Sequence, residues 1–256
     1  MFASASIIGR AHRLRQQNNH DFAITQTTTD GTLIGLVLDG CGSKYKNDNG
    51  IQASQNEVGA KLLGEFVIRY LEFHLSQDSD LINMIDNLYD ASLSFLSSLI
   101  ELYQFDEMRK QQFVYTNLLC TMIGFVMQEN TAVFFWRGDG WLIENETVID
   151  LNANNHPNYL AYDLFTEPRG LQKKIVNGST IKRIGVATDG WDEPLLTTLT
   201  PQKNEIMLQR WVNMQAKQTP NFEDDASIAI YWNEMSVGDK MQGSQGASSH
   251  HPPISS

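Results

Sequence analysis

Cysteine is scarce in this chain: Cys41 and Cys120 are the two in 256 residues. Two distant thiols cannot make a disulfide framework and do not form a zinc-type spacing, so a reducing cytoplasm is the expected setting. Long apolar runs are missing too, and none approaches the roughly 18 residues of a bilayer-spanning helix. The opening MFASASIIGRAHRLR lacks the apolar core and cleavage site of a secretion leader. Basic residues are outnumbered, 19 Lys and Arg against 30 Asp and Glu, for a net charge of −11. Such a balance argues against a nucleic-acid backbone or an anionic membrane as partner. It leaves a phosphorylated substrate open, because bound cations reverse the sign locally.

What the chain does have is acidic residues where strands should end. Asn-His-Asp at 19–21, Leu-Asp-Gly at 38–40, Thr-Asp-Gly at 188–190 and Asp-Asp-Ala-Ser at 224–227 each adjoin an apolar, β-prone run. Carboxylates at strand ends converge easily, and oxygen donors without a Cys or His cluster suit hard cations such as magnesium or manganese. Each Asp-Gly pair taken singly is equally a turn signal.

The flanking patterns define the organisation. SASIIG near 4–9, DFAITQT at 21–27 and TLIGLVLD at 32–39 read as paired strands, the last two joined at Asp30-Gly31. Ser54 with Glu57 forms a capping-box pattern before a helix over 55–75, where Val58, Leu62, Phe66, Tyr70 and Phe73 recur at helical spacing. A second helix is expected from about Asp80 to Tyr103, on the stripe Leu81, Ile85, Leu88, Ser92, Phe95 and Leu99. From Phe113 the chain reads as strand again, with a turn at 128–130. Residues 152–180 are polar and irregular and read as one long loop; a strand over 181–188, a short helix around 202–216 and the strand SIAIYW follow. The pattern predicts an α+β domain over 1–235, an antiparallel β-sandwich with helices outside, and a disordered tail over 236–256.

The ordered series NNHDFA, VLDGCGS, NEVGA, LCTMIGFV, WRGDG, VATDGWDE and DDASIAI resembles the metal-dependent serine/threonine protein phosphatases of type 2C, bacterial-style members above all. The resemblance covers roughly residues 4–232. It implies a four-layer α-β-β-α fold and hydrolysis of phosphoserine or phosphothreonine in proteins by water activated between two Mn²⁺ or Mg²⁺ ions. By the same resemblance Asp39 bridges the ions, the Gly40 carbonyl serves one of them, and Asp189 and Asp224 complete the other shell. Asp21 matches an early aspartate acting through water, and Asp139 one that holds a weaker third ion with Asp192 or Glu193.

Four departures accompany the match. The family's phosphate-holding arginine lies a few residues before the first aspartate; five before Asp21 stands Gln16, leaving Arg13 or Arg15 for that role. Cys41 replaces a histidine that follows Asp-Gly in many eukaryotic members, and His20 an acidic residue present in some relatives. His12 reads as a structural histidine, with proton donation as the alternative. The 152–180 stretch does not match the usual flap. A non-catalytic, partner-binding member of the same fold and a two-metal hydrolase of another substrate stay open.

Overall fold

A computed structural model describes residues 1–47, 50–76, 80–153, 156–218 and 221–233. The chain runs β1 (Phe2–Ile7), α1 (Arg10–Arg15), β2 (Asp21–Thr27), β3 (Leu33–Asp39), β4 (Lys46–Asn47), β5 (Gly50–Ile51), α2 (Asn56–Leu75), α3 (Leu81–Glu101) and α4 (Glu107–Asn117). It continues through β6 (Met122–Gln128), β7 (Thr131–Arg137), β8 (Trp141–Glu144), β9 (Thr147–Asp150), β10 (Gln172–Asn177), β11 (Arg183–Ala187), α5 (Glu193–Thr198), α6 (Glu205–Gln215) and β12 (Ala226–Trp232). Two antiparallel five-stranded sheets result, ordered β1-β12-β11-β8-β9 and β10-β7-β6-β3-β2.

Strand periodicity explains how the sheets stack. On β3, Ile34, Leu36 and Leu38 face α2 and α3, while Val37 faces the opposite sheet. On β7, Val133 and Phe135 take the helical side, and Ala132 and Phe134 the inter-sheet side. On β12, Ala226, Ile228, Ile230 and Trp232 pack under α5 and α6, with Ala229 pointing inward. Strands buried on both faces read as continuous apolar runs, as TLIGLVLD and SIAIYW do. The α+β sandwich with helices outside is therefore as the sequence predicts, in four layers.

Several local expectations are corrected. β1 does not pair with β2; it lies in the other sheet beside β12, from Phe2↔Tyr231 to Ile7↔Ala226, and the six-residue α1 turns the chain between the sheets. Residues 113–117 are helical, the last turn of α4, whose N-terminus is capped by Asp106 accepting the Arg109 N–H at 2.8 Å. The aromatic and β-branched FVYT sequence has weak helix preference, and packing of α4 on α2 overrides it. The capping box does not form: the Ser54 N–H donates to Ser43 Oγ at 3.0 Å, and the Glu57 carboxylate accepts from Asn18 Nδ2 at 3.1 Å. On α2 the buried stripe is Ala60, Leu63, Val67, Leu71 and Leu75, whereas Val58, Leu62 and Phe73 are exposed. Both faces of this helix carry apolar residues, so periodicity finds the helix without choosing its inner face.

The 152–180 region is not a plain loop. It holds a 3-10 turn over Leu160–Leu164 and the edge strand β10, paired with β7 from Gln172↔Trp136 to Asn177↔Thr131. Lysines on an exposed edge mask such a strand in sequence. The short α5 is likewise an addition to the sequence pattern. The tail over 236–256 lies outside the described residues.

Candidate metal centre

Register places the first two aspartates. β2 and β3 pair antiparallel so that Asp21 stands opposite Asp39, and the Gly40 N–H donates to the His20 carbonyl at 3.0 Å just beyond. The Asp39 N–H donates to Thr121 Oγ1 at 3.0 Å and its carbonyl accepts from the Thr121 N–H at 2.8 Å, so β6 fixes its backbone. Gly40 is required by space: a Cβ there would lie 2.8 Å from backbone atoms of His20, Asn56 and Glu57. Asn56, fully buried at the start of α2, donates to the Cys41 carbonyl at 2.8 Å and accepts from the Leu119 N–H at 3.0 Å.

The opposite sheet supplies the rest. Thr188, at the end of β11, donates its hydroxyl to Asp21 Oδ2 at 2.7 Å and accepts the Ser227 N–H at 2.9 Å. Asp189 follows in the turn. A Cβ on Gly190 would fall 1.8 Å from the Asp225 carbonyl oxygen, so glycine lets the turn after β11 press against the start of β12. Trp191 anchors that turn, buried against Phe222 and stacked 6.3 Å from Trp211.

The carboxylates act on one another. Burial, then Asp21, Asp189 and Asp224, hold the Asp39 carboxyl well above its ordinary value. Asp21 is pushed up to about 8, chiefly by burial, against the lowering effect of its Thr188 hydrogen bond and with Asp225 adding to the rise. Asp189 rises to about 6 through lost solvation and the charges of Asp139 and Asp224, although the residue keeps an exposed edge. Asp139, half-buried in the β7–β8 turn, is also raised, by burial first. Asp21 Oδ1 is buried with no hydrogen-bond partner. These are the marks of oxygen donors gathered with too little positive charge among them.

The tightest acidic grouping among the described residues lies to one side. Donor atoms of His12, Asp224 and Asp225 come within 4.8 Å of one another. The Asp225 oxygens there are already engaged by the Gly9 N–H at 2.7 Å, the His20 N–H at 2.6 Å and His12 Nδ1 at 2.8 Å. Asp225 is thus a buried brace, whereas Asp224, exposed beside it with Oδ1 accepting the Asp225 N–H at 2.9 Å, is the one whose charge bears on Asp39 and Asp189.

The other residues singled out from sequence fall as follows. Asp192 is exposed and caps α5, its Oδ1 accepting the Leu195 N–H at 2.8 Å; Glu193 is exposed in the first turn. Arg13 and Arg15 are exposed on α1, and Gln16 ends that helix in a left-handed conformation at φ 57°. The His12 ring lies tilted at 47° against His20, 4.5 Å between centroids, and His20 Nε2 lies 4.0 Å from Glu57 Oε2. Burial pushes the thiols of Cys41 and Cys120 up, so neither is a poised thiolate.

Sequence reasoning missed Thr188, Asn56, Asp225 and a buried ion pair that ties the 152–180 stretch to the end of β7. Arg137 Nη2 donates to both Asp163 oxygens at 2.8 and 2.7 Å, and Nη1 to the Gly170 carbonyl at 3.2 Å. The Tyr89 hydroxyl donates to Asp163 at 2.7 Å. The signal for Thr188 was present in Thr-Asp-Gly; Asp163, in a stretch read as loop, gave none.

The fold and site define a four-layer α-β-β-α sandwich with carboxylates gathered at its strand ends. Comparison narrows it: the chain belongs to the protein phosphatase 2C family, whose model matches residues 8–225. Solved structures share the fold. A bacterial serine phosphatase, solved as a point mutant, aligns with a TM-score of 0.62 at 11% identity, over 91% of this chain and 98% of its own. The serine/threonine phosphatase Stp1 from Staphylococcus aureus gives 0.59 at 10% identity, over 91% and 94%. The catalytic domain of the serine/threonine protein phosphatase PstP, in complex with two manganese ions, gives 0.57 at 13% identity, over 90% and 96%. No curated protein matches the chain in sequence. Among the described residues no helix is long and apolar enough to cross a membrane.

Proposed function

We propose that this chain is a metal-dependent phosphatase that hydrolyses phosphoserine and phosphothreonine in proteins. The observation that carries the reading is the register that sets Asp21 opposite Asp39, with the Thr188 hydroxyl tying Asp21 to the turn that carries Asp189. An all-oxygen donor set with an unpartnered buried oxygen on Asp21 fits a hard dication. Asp39, the Gly40 carbonyl, Asp189 and Asp224 would hold two ions, Asp21 would act beside them, and Asp139 with Asp192 or Glu193 would hold a weaker third. When bound, Mn²⁺ or Mg²⁺ supplies an acidified water as nucleophile and neutralises phosphoryl oxygens.

The chain's own residues set the geometry. Thr121 fixes the backbone of Asp39, and Thr188 orients Asp21. Asp225 holds the β1–α1 junction and His20 against the centre through three hydrogen bonds. Cys41 keeps its proton and stays out of the chemistry. A phosphorylated protein is the proposed substrate, and the two free, buried thiols suit a cytoplasmic setting.

The test is hydrolysis of a phosphothreonine peptide by the purified chain with Mn²⁺ and with EDTA. Turnover that requires the metal supports the reading. A folded protein that binds Mn²⁺ yet never turns over contradicts it and points to a partner-binding role.

A further inference from the structure

β1 is the last strand of its sheet, and part of its outer edge is open. Met1 and Trp232 exchange two hydrogen bonds, the Met1 amino group donating at 2.7 Å and the Met1 carbonyl accepting at 2.8 Å. Bonded pairs alternate along an antiparallel ladder, so Ala3, Ala5 and Ile7 bond to β12. Phe2, Ser4 and Ser6 then turn their N–H and C=O groups away from it. At Ser6 a side chain meets them: Gln209 Oε1 accepts the Ser6 N–H at 3.0 Å, and Gln209 Nε2 donates to the Ser6 carbonyl at 2.8 Å. The Gln209 amide stands in for one residue of a further strand.

Two residues earlier the backbone N–H and C=O of Ser4 have no partner among the described residues; its hydroxyl reaches Glu205 Oε1 at 3.5 Å. Ser4 is nevertheless 8% exposed, and buried backbone groups are almost always paired. It borders a hollow of about 570 Å³ between β1 and α6, lined also by Glu205, Ile206, Gln209, Arg210 and Asn213. Ile206 is 77% exposed there.

We propose that this hollow takes an extended segment of a partner protein, which joins the sheet as a strand beside β1. The N–H and C=O of Ser4 set its register, and Ile206 gives it an apolar contact. α6 runs alongside β1 in the same direction, with Glu205 by Ser4 and Gln209 by Ser6. Glu205 and Arg210, both exposed, are about 7.5 Å apart along the helix axis, close to the span of two strand residues. The segment that fits carries a basic and an acidic residue two positions apart, on one face of its strand. A second copy of this chain fits poorly, because two-fold pairing of β1 about Ser4 brings the two Glu205 carboxylates together. None of these residues belongs to the carboxylate centre, so the proposal is independent of the phosphatase reading.

The test is calorimetry on the whole chain with the blocked peptide Thr-Val-Lys-Val-Glu-Val-Thr as probe. Methylating the backbone nitrogens of one alternate set of its residues should abolish binding, and methylating the other set should not. Ser4→Pro removes the outward N–H and leaves the β12 ladder intact, since proline is accepted where a strand's N–H faces outward. It should weaken binding by at least about tenfold. Glu205→Lys/Arg210→Glu should weaken binding similarly and prefer the peptide with Lys and Glu exchanged, a test that does not depend on how Ser4→Pro folds. No binding by wild type, equal binding by wild type and both variants, or equal loss on methylating either set overturns the proposal. So does a concentration-dependent dimer in sedimentation that Ser4→Pro dissolves, which would assign the edge to a second copy.

Discussion

The Thr188 hydroxyl donates to Asp21 Oδ2 at 2.7 Å, joining the end of β11 in one sheet to the start of β2 in the other. The same hydroxyl accepts the Ser227 N–H at 2.9 Å, so one side chain ties three strand ends together. Thr188→Val removes both contacts and strips Asp21 Oδ2 of its donor. We expect a loss of about 1–3 kcal/mol in urea unfolding, with Thr188→Ser close to wild type. Equal stability of the valine variant would show that the cross-sheet contact is immaterial.

Adjacent aspartates should separate structure from activity. Asp225→Ala strands three N–H donors, on Gly9, His12 and His20, and should cost about 3 kcal/mol or more. Asp224→Ala lies at an exposed position and should change stability by less than about 0.5 kcal/mol while abolishing metal-dependent turnover. Denaturant melts beside peptide hydrolysis read both effects; the reverse pattern would exchange the two roles.

The metal-free protein should lose stability as pH rises. Asp21 is lifted to about 8 and Asp189 to about 6, both by burial first. Over that window the folded state binds more protons than the unfolded chain, whose carboxyls titrate near their ordinary values. Stability is therefore full below the unfolded values and declines as pH passes through about 6 and then about 8. Thermal melts in EDTA between about pH 5 and 8.5 should show Tm falling, and Mn²⁺ should reverse the fall most at the alkaline end. A flat profile in EDTA would mean that the carboxyls do not hold those protons.

Arg137 at the end of β7 and Asp163 in the 152–180 stretch form a buried ion pair at 2.7 Å. Asp163→Leu alone leaves a buried guanidinium and should cost about 3–5 kcal/mol. Arg137→Met/Asp163→Leu together should recover much of that loss. A double variant no better than the single one would place the cost in the Tyr89 and Gly170 contacts instead.

How much of this was legible in sequence depended on periodicity and on local chemistry. Strands buried on both faces and the long α3 stripe declared themselves, as did the aspartates beside glycine at 39–40 and 189–190. β10 was hidden because an edge strand bearing Lys173 and Lys174 lacks the apolar run that marks an inner one. α4 was hidden because FVYT favours strand and only its packing against α2 makes it helical. At the centre, ligand candidates were readable because Asp-Gly at a strand end is a local pattern. Their supports, Thr188 and Asp225, reach residues about 170 to 220 positions away in the chain, where local spacing carries no information.

The central claim is that Asp39 organises a dication centre for phosphoester hydrolysis, and Asp39→Asn tests it most directly. Turnover of a phosphothreonine peptide with saturating Mn²⁺ should fall by at least ~10³-fold while the far-ultraviolet circular dichroism is unchanged. Near wild-type turnover in that folded variant would contradict the account.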